Sequence, residues 1–168
     1  AHVDVIGCDR DPGRGRALLE ERAPADPEIA HDLADRLIDG PGLERDVRAG
    51  LRWMRRAADE GYPPAHTYLG VLHWYGRHVD PDRERALEYY RHAAELGEPY
   101  ATGNLGFALL EGEGVTQGRT QGFEFIERAG GLGNAHAALW LAERLLSGDE
   151  AGLARDERAA VRVLEACT

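Results

Sequence analysis

The side chains that could do chemistry in this sequence are seven histidines, two cysteines, one serine and 30 acidic residues. A nucleophilic serine is presented on a sharp turn between a strand and a helix, and Leu146-Ser147-Gly148 does not have that context. Cys8 and Cys167 stand near opposite ends of the chain, and neither has a histidine beside it in the sequence. We therefore expect no catalytic residue, and we interpret Ser147 as a residue at the end of a helix.

The histidines are the remaining candidates for a metal site. His66 and His73 are two helical turns apart, and His78 and His92 follow in the same part of the chain. A zinc site needs three or four ligands that converge on one point. His73 occupies a position that leucine fills elsewhere, so it is expected to be packed in a core. The sequence also has no phosphate-binding or dinucleotide-binding glycine motif, and we expect neither a metal nor another cofactor.

Composition and charge restrict the class of protein. The chain has 168 residues, of which 43% are hydrophobic, and its net charge of -10 is unsuited to binding nucleic acid or an anionic membrane surface. No apolar run approaches the roughly 18 residues of a transmembrane helix. The two cysteines are compatible with a reducing compartment, which predicts a cytoplasmic protein.

One stretch of the chain departs from this acidic balance. Arg48, Arg52, Arg55 and Arg56 recur at a spacing that places them on one side of a helix. Two interpretations stay open at this point. The arginines form either a solvated helix face or a docking surface for an acidic partner.

The elements that must position these residues are shown by an internal repeat. Gly61, Gly97 and Gly133 are separated by a constant interval of about 36 residues, which lies in the range of helical solenoids. Several other positions recur in the same register, including alanine, leucine, small-residue and aromatic columns. These columns are Ala65, Ala101 and Ala137; Leu69, Leu105 and Leu141; Gly70, Gly106 and Ala142; and Trp53, Tyr89 and Phe125.

Each repeat reads as two helices. Pro63 stands where the first turn of a helix tolerates proline, and Gly76 is placed to end that helix. Asp82 is a candidate N-cap of the second helix, and Gly97 is placed to stop it. The same signals recur in the neighbouring repeats.

The segments Ala65–Gly97 and Ala101–Gly133 resemble the Sel1-like repeat, a relative of the tetratricopeptide repeat. The chain departs from the family pattern at Gly118, where an aspartate is usual, and it lacks the cysteine pair that some secreted members carry in each repeat. The resemblance implies an all-α fold, a right-handed α-solenoid of antiparallel helix pairs. It also implies a role in scaffolding protein complexes.

The register predicts about four and a half repeats that form one domain over residues 1–168. Both ends fall inside a repeat, so we expect the native protein to continue at one end or both. A small insertion is expected near Gly152, and Val3 to Gly7 are expected to end an earlier first helix. The predicted units are a partial unit 1–26, three units at 27–62, 63–98 and 99–134, and a partial unit 135–168.

The first helix of each pair lines the concave side of such solenoids, and that side binds partners. Helical spacing from the predicted core columns assigns one set of side chains to this side. The set is acidic near the N-terminus, where Glu28 precedes it, and becomes aromatic further along. Its members are Asp32, Asp35, Asp39, Tyr68, Val71, Tyr75, Tyr100, Asn104, Phe107, Glu111, His136, Trp140 and Glu143.

The sequence therefore predicts an interaction scaffold or adaptor that binds a segment of another protein on its concave surface. The acidic and aromatic side chains favour a basic partner with apolar anchors. An antidote to a basic toxin would be a special case of this function. The alternative is an enzyme or small-molecule-binding protein that uses the same groove as a pocket, with the tyrosines and His136 as its polar groups. Packing against neighbouring helices would equally explain several of the aromatic residues, above all Phe107 and Trp140.

Overall fold

The structure is a computed structural model that describes residues 12–40, 42–112, 118–148 and 155–166. Within these ranges every regular element is an α-helix and there is no strand, which confirms the predicted all-α fold. The described residues form the helices α1 (Pro12–Arg22), α2 (Pro27–Asp39), α3 (Val47–Asp59), α4 (Pro63–Tyr75), α5 (Arg83–Glu95), α6 (Pro99–Glu111), α7 (Arg119–Gly131), α8 (Ala135–Ser147) and α9 (Glu157–Ala166).

Several features expected from the sequence lie outside the described residues. They are Cys8, Cys167, His2, the helix end at 3–7 and the insertion near Gly152. None of the described helices is both long enough and apolar enough to cross a membrane.

The chain divides into two compact units, and the division falls inside α4. The first unit ends at Leu69 and contains α1, α2, α3 and the beginning of α4. The second unit begins at Gly70 and contains the rest of α4 and the helices that follow. In the first unit α2 packs against α3, and in the second α6 packs against α7 and α8 against α9.

Aspartate side chains cap the N-termini of three helices. Asp26 precedes Pro27, and its carboxylate accepts hydrogen bonds from the backbone N–H groups of Glu28 and Ile29 at 3.0 and 3.4 Å. Asp46 and Asp82 cap α3 and α5 in the same way, as predicted. Such caps satisfy backbone donors that have no partner inside the helix.

Glycines in the left-handed conformation follow the first helix of each of three repeats. Gly40 has φ 83°, Gly76 has φ 66° and Gly112 has φ 71°, and each stands directly after the last residue of its helix. A side chain with a Cβ atom is disfavoured at these angles, which accounts for this glycine column. Gly118 precedes α7 and provides no side-chain cap, which is the consequence of its departure from the usual aspartate.

Small residues lie where the two helices of a pair cross. An ideal Cβ atom on Gly106 would lie 2.7 Å from Cγ1 of Ile126 and 2.9 Å from the carbonyl oxygen of Gly122. An ideal Cβ atom on Gly70, one repeat earlier, would lie 2.5 Å from the Tyr90 ring. Because Tyr90 and Ile126 occupy equivalent positions, the two repeats use the same close contact.

The predicted core columns are buried. Ala65 and Ala101 are 0% exposed, and Leu69 and Leu105 are 2% and 4% exposed. Leu105 packs in a cluster with Leu87, Tyr90 and other side chains of α5 and α6. These values confirm the repeat register from which the core was predicted.

Two arginines at equivalent positions in α3 and α7 donate hydrogen bonds to carbonyl oxygens at or just beyond the ends of earlier helices. The guanidinium of Arg128 donates to the carbonyl oxygen of Ala94 at 2.8 Å, and that of Arg56 donates to the carbonyl oxygen of Pro24 at 2.7 Å. Ala94 lies in the last turn of α5, where carbonyl groups lack partners within the helix. A cation is favourable there because of the helix dipole.

Truncation of Leu105 tests the predicted core. Leu105→Ala is expected to lower the free energy of unfolding by about 2–5 kcal/mol, because it removes apolar contacts and leaves a cavity. Leu139→Ala is the matched control, since Leu139 is 53% exposed and its truncation should change stability by less than about 0.5 kcal/mol. Urea unfolding followed by circular dichroism measures both variants. Equal effects of the two substitutions would show that the register is wrong.

Two glycines of the second unit provide a matched pair for the helix crossing. Gly106→Ala is expected to destabilise the fold, because its Cβ atom would meet Ile126 and the backbone of Gly122. Gly131→Ala, in the last turn of α7, meets nothing within 4 Å and is expected to stabilise by about 0.4–1 kcal/mol. Thermal melting of both variants gives the comparison. A stabilising effect of Gly106→Ala would contradict the close approach.

Candidate functional site

The second unit contains a cleft of about 580 Å³, which runs along the first helix of each repeat. Helices α4, α6 and α8 contribute most of its lining, with one tyrosine from α5 and the residue that caps α8. The lining residues are Val71, Trp74, Tyr75, Tyr90, Tyr100, Asn104, Phe107, Ala108, Glu111, Asn134, His136 and Trp140. We call this site the aromatic cleft.

Two tyrosines of the aromatic cleft are accessible to solvent. Tyr75 is 69% exposed and Tyr100 is 62% exposed, whereas most aromatic side chains of the chain are buried or half-buried. Glu111 in the last turn of α6 is also exposed and supplies a carboxylate to the same lining. The accessible part of the cleft thus offers flat apolar rings, phenolic hydroxyls and one negative charge.

A polar pair lies deeper in the aromatic cleft. Tyr90 is 2% exposed, and its side chain is hydrogen-bonded to the side chain of Asn104. Burial raises the pKa of the Tyr90 phenol, so the hydroxyl stays protonated in the physiological range and remains a hydrogen-bond donor or acceptor. The Trp74 ring lies 6.1 Å from the Tyr90 ring, and the guanidinium of Arg83 lies 4.1 Å above Trp74.

An aromatic cluster forms the opposite part of the cleft. The Phe107 ring meets the Trp140 ring edge to face at 5.2 Å, and the His136 ring lies 5.6 Å from Phe107. The guanidinium of Arg144 lies 5.2 Å from the centre of the Trp140 ring. Phe107 and Trp140 also pack against the core of α7, α8 and α9. Phe107 and Trp140 therefore both pack against neighbouring helices and line the cleft.

The predicted groove residues divide between the two units. All of those from Val71 to Trp140 line the aromatic cleft. Glu143 is exposed on α8 but is not part of the cleft lining, and its carbonyl oxygen accepts a hydrogen bond from Ser147 at 2.9 Å. Ser147 thus lies at a helix end, as expected. The remaining members, Asp32, Asp35, Asp39 and Tyr68, lie in the first unit.

Two of the acidic residues of α2 already have partners in the first unit. Asp32 forms an ion pair with Arg36 at 2.9 Å, one helical turn away. Asp39 accepts a hydrogen bond from the Tyr68 hydroxyl at 2.9 Å. The pKa of the Asp35 carboxyl is raised, chiefly by burial and then by the negative charge of Asp39. Tyr68 therefore lies beside this acidic helix, and its hydroxyl is engaged within the chain.

His31 lies between the same carboxylates and two tyrosines. Its ring is 5.3 Å from the Tyr62 ring and 6.3 Å from the Tyr68 ring. Burial lowers the pKa of His31, and this effect outweighs the opposing attraction of Asp35 and Asp32. His31 is therefore a packed side chain of the first unit that sequence reasoning left unassigned.

The other histidines do not form a metal centre in the described part of the chain. No group of three or more His, Cys, Asp or Glu side chains in these residues is placed to hold a metal ion. His73 is 7% exposed and stacks on the Tyr89 ring at 5.8 Å, so its predicted core position is confirmed.

The repeat architecture matches a known family over most of the chain. The profile of the Sel1 repeat matches residues 27–62, 63–98, 99–134 and 135–162. The chain belongs to the Sel1 repeat family. Sel1 repeats generally mediate interactions between proteins.

Three proteins to which this Sel1 repeat chain is similar are longer than it. It is 36% identical over 76 residues to the alginate biosynthesis protein AlgK of Pseudomonas aeruginosa, which covers 45% of this chain and 16% of AlgK. It is similar to the crystal structure of c5321, a protective antigen of uropathogenic Escherichia coli with an SLR fold. That match has a TM-score of 0.78 and 27% identity, and it covers 90% of this chain and 32% of c5321.

A second solved structure shows the fold alone. The Sel1 repeat protein of Oxalobacter formigenes matches with a TM-score of 0.83 and 21% identity, covering 92% of this chain and 61% of that protein. The chain thus spans about one sixth of the curated relative that it matches, and less than two thirds of these two solved relatives.

Some lining residues of the aromatic cleft were missed by the sequence analysis of this Sel1 repeat chain. The predicted groove did not include Tyr90, Trp74 or Asn134. Gly70 carried the signal for Tyr90, because a glycine opposite a large side chain leaves room for the ring to lie against α4. Asn134 caps α8 with its side-chain oxygen and donates from Nδ2 to the Pro99 carbonyl oxygen at 3.1 Å.

Neutralising Asp35 tests the electrostatics of the first unit. Its raised pKa means that the ionised carboxylate opposes folding, so the stability that the protonated form contributes is lost as the pH rises through the folded pKa. Asp35→Asn is therefore expected to increase the free energy of unfolding at neutral pH. The expected gain is about 0.2–0.5 kcal/mol, the size of a like-charge pair one turn apart. The gain should vanish below the ordinary aspartate pKa.

The control for Asp35→Asn is Glu28→Gln. Glu28 lies in the first turn of α2, where the helix dipole favours a negative charge, so its neutralisation should not stabilise the fold. Urea unfolding at a series of pH values measures both variants. A loss of stability in Asp35→Asn at neutral pH would contradict the proposed environment of the carboxyl.

Proposed function

We propose that this protein is an interaction module that holds a segment of a partner protein in the aromatic cleft. The observation that carries the proposal is the exposure of Tyr75 and Tyr100 within a lined cleft of the second unit. Large rings held accessible in a concave site bury much area on binding and lose few rotamers, which suits them to recognition.

The chemistry of the cleft favours a partner with both an apolar and a basic residue. The faces of Trp74 and Trp140 already carry the chain's own Arg83 and Arg144. A cation from a partner would therefore meet Tyr75, Tyr100 and the carboxylate of Glu111 rather than the tryptophans. An apolar side chain would instead pack against Val71 and Phe107, which are half-buried. A basic residue next to an aliphatic or aromatic residue satisfies both parts of the cleft.

The buried Tyr90–Asn104 pair supports a second candidate function, a pocket for a small polar molecule. Its hydroxyl and amide could orient such a ligand while the surrounding rings exclude water. The two functions differ in which residues they need. A small-molecule pocket depends on Tyr90 and Asn104, whereas a peptide cleft depends most on the exposed tyrosines.

Site-specific photo-crosslinking identifies the partner and tests the proposal. A benzophenone amino acid is placed at Tyr75, at Tyr100 or at the control position Leu96, which is 49% exposed after α5 and is not part of the cleft lining. We expect one protein to crosslink from Tyr75 and Tyr100 but not from Leu96. The same yield from all three positions would contradict a specific cleft.

Replacement of Tyr100 measures the contribution of the cleft once the partner is known. Tyr100→Ala is expected to increase the dissociation rate by about tenfold with little change in the association rate, as is usual for an anchoring aromatic residue. The fold should be unaffected because the side chain is 62% exposed. Surface plasmon resonance gives both rates, and Tyr89→Phe serves as the control outside the cleft lining. Unchanged dissociation would exclude Tyr100 as an anchor.

A further inference from the structure

The first unit contains a cleft between α1 and α3 that the proposed function does not use. Its volume is about 330 Å³, and three of its lining residues are arginines. The lining residues are Arg16, Glu20, Ala49, Arg52, Trp53 and Arg56. We call this site the arginine cleft.

We propose that the arginine cleft binds an acidic segment of a partner protein, with a carboxylate at Arg52 and an apolar side chain on Trp53. This surface is independent of the aromatic cleft because all of its residues belong to the first unit. Three features support this site: the arrangement of its guanidinium groups, the surplus of positive charge on α3, and the difference of α3 from the equivalent helices of later repeats.

Two of the three guanidinium groups are held in place within the chain. Arg16 bridges Glu20 at 2.8 Å and Asp46 at 3.5 Å. Arg56 donates to the Pro24 carbonyl oxygen at 2.7 Å and forms an ion pair with Glu60 at 3.0 Å. Groups that are ordered before binding lose less entropy when a ligand arrives.

The surface of α3 carries positive charge beyond these pairs. Arg48, Arg52 and Arg55 are exposed, and no described carboxylate forms an ion pair with any of them, while Asp46 attracts Arg52 from a longer distance. This surplus is local, since the net charge of the whole chain is -10. An acidic segment short enough to contact only this face gains the local attraction, whereas a long polyanion would also meet the surrounding negative charge.

The position of Arg52 carries the opposite charge in both of the next two repeats, and the position of Arg48 does so in the next one. Where α3 has Arg52, α5 has Glu88 and α7 has Glu124. Where α3 has Arg48, α5 has Glu84. The arginines are therefore not required by the packing of a second helix, because the same fold is built with glutamates.

The cleft itself also departs from the repeat pattern. Ala49 stands where α5 has Arg85 and α7 has Gln121, and this small side chain leaves space beside Trp53. The guanidinium of Arg56 lies 5.5 Å from the centre of the Trp53 ring. An apolar side chain of the ligand can pack on this ring beside a carboxylate that meets Arg52, which selects for an acidic residue with an apolar neighbour.

A second copy of this chain is a weaker candidate for the occupant. Its acidic helix α2 has two carboxylates that are already engaged, Asp32 with Arg36 and Asp39 with Tyr68. A partner segment with uncommitted aspartate or glutamate residues fits the surplus charge better.

The test uses a fluorescein-labelled peptide of alternating Glu and Ser with one central Phe, and a control peptide in which every Glu is replaced by Gln. Fluorescence anisotropy measures binding to the wild type, to Arg48→Glu/Arg52→Glu and to Arg85→Glu/Arg91→Glu. The last variant makes the same change in net charge on α5, in the second unit. Arg48→Glu/Arg52→Glu is expected to fold, because α5 carries glutamate at both equivalent positions. Circular dichroism checks the fold of both variants.

We expect the wild type to bind the Glu peptide and not the Gln peptide, with an affinity that falls as salt is added. Arg48→Glu/Arg52→Glu should weaken binding by about tenfold or more, because attraction is replaced by repulsion. Arg85→Glu/Arg91→Glu should weaken it by less than about threefold, the long-range contribution alone. Tyr75→Ser/Tyr100→Ser should leave it unchanged, which separates this proposal from the function of the aromatic cleft.

Several results would overturn the proposal. Equal affinity for the two peptides would show that charge is not recognised, and equal losses in the two double reversals would show that only net charge matters. Equal binding of a single-stranded oligonucleotide, with the same dependence on Arg48 and Arg52, would identify a general anion site instead. A dimer in sedimentation that Arg48→Glu/Arg52→Glu dissociates would assign the cleft to a second copy of the chain.

Discussion

The close approach of the two helices in each pair is the constraint on which the rest of the structure depends. An ideal Cβ atom on Gly50 would lie 2.9 Å from the Ala34 carbonyl oxygen, and one on Gly106 would lie 2.9 Å from that of Gly122. Such distances leave no room for a larger side chain at the crossing. The second helix then covers one face of the first with buried alanine and leucine. The opposite face of the first helix is left for other contacts, and in the second unit that face of α4, α6 and α8 forms the aromatic cleft.

The same constraint links the core to the site. Gly70 lets the Tyr90 ring lie against α4, and Tyr90 then serves both the core cluster and the lining of the aromatic cleft. The hydrogen bond between the buried Tyr90 side chain and Asn104 fixes the position of Asn104, which lies on the accessible side of α6. The shape of the cleft therefore depends on a glycine that does not line it. The arginine cleft has a similar origin, since Ala49 replaces the larger residues that stand at this position in later repeats.

Much of the fold and of the lining of the aromatic cleft could be predicted from the sequence, because the same pair of helices recurs along the chain. Register, helix ends and buried columns follow from spacing, capping residues and glycines. Helical spacing from the core assigned most of the lining of the aromatic cleft to the groove but missed Tyr90, Trp74 and Asn134. The partners of individual side chains could not be found in this way. The Tyr68–Asp39 hydrogen bond, the Asp32–Arg36 ion pair and the Arg83–Trp74 contact depend on side-chain conformations that periodicity does not determine. The arginines of α3 were noticed, but only the space beside Ala49 turns them into a candidate site.

The central claim is that the accessible side of α4 and α6 in the second unit binds the partner. Chemical modification of tyrosine, read by mass spectrometry with and without the partner, tests it most directly because the six tyrosines differ in environment. In the free chain Tyr75 and Tyr100 should react fastest and buried Tyr90 should not react. Saturation with the partner should protect Tyr75 and Tyr100 and leave Tyr89, which stacks on His73, as reactive as before. Unchanged reactivity of Tyr75 and Tyr100 in the saturated complex would contradict the account.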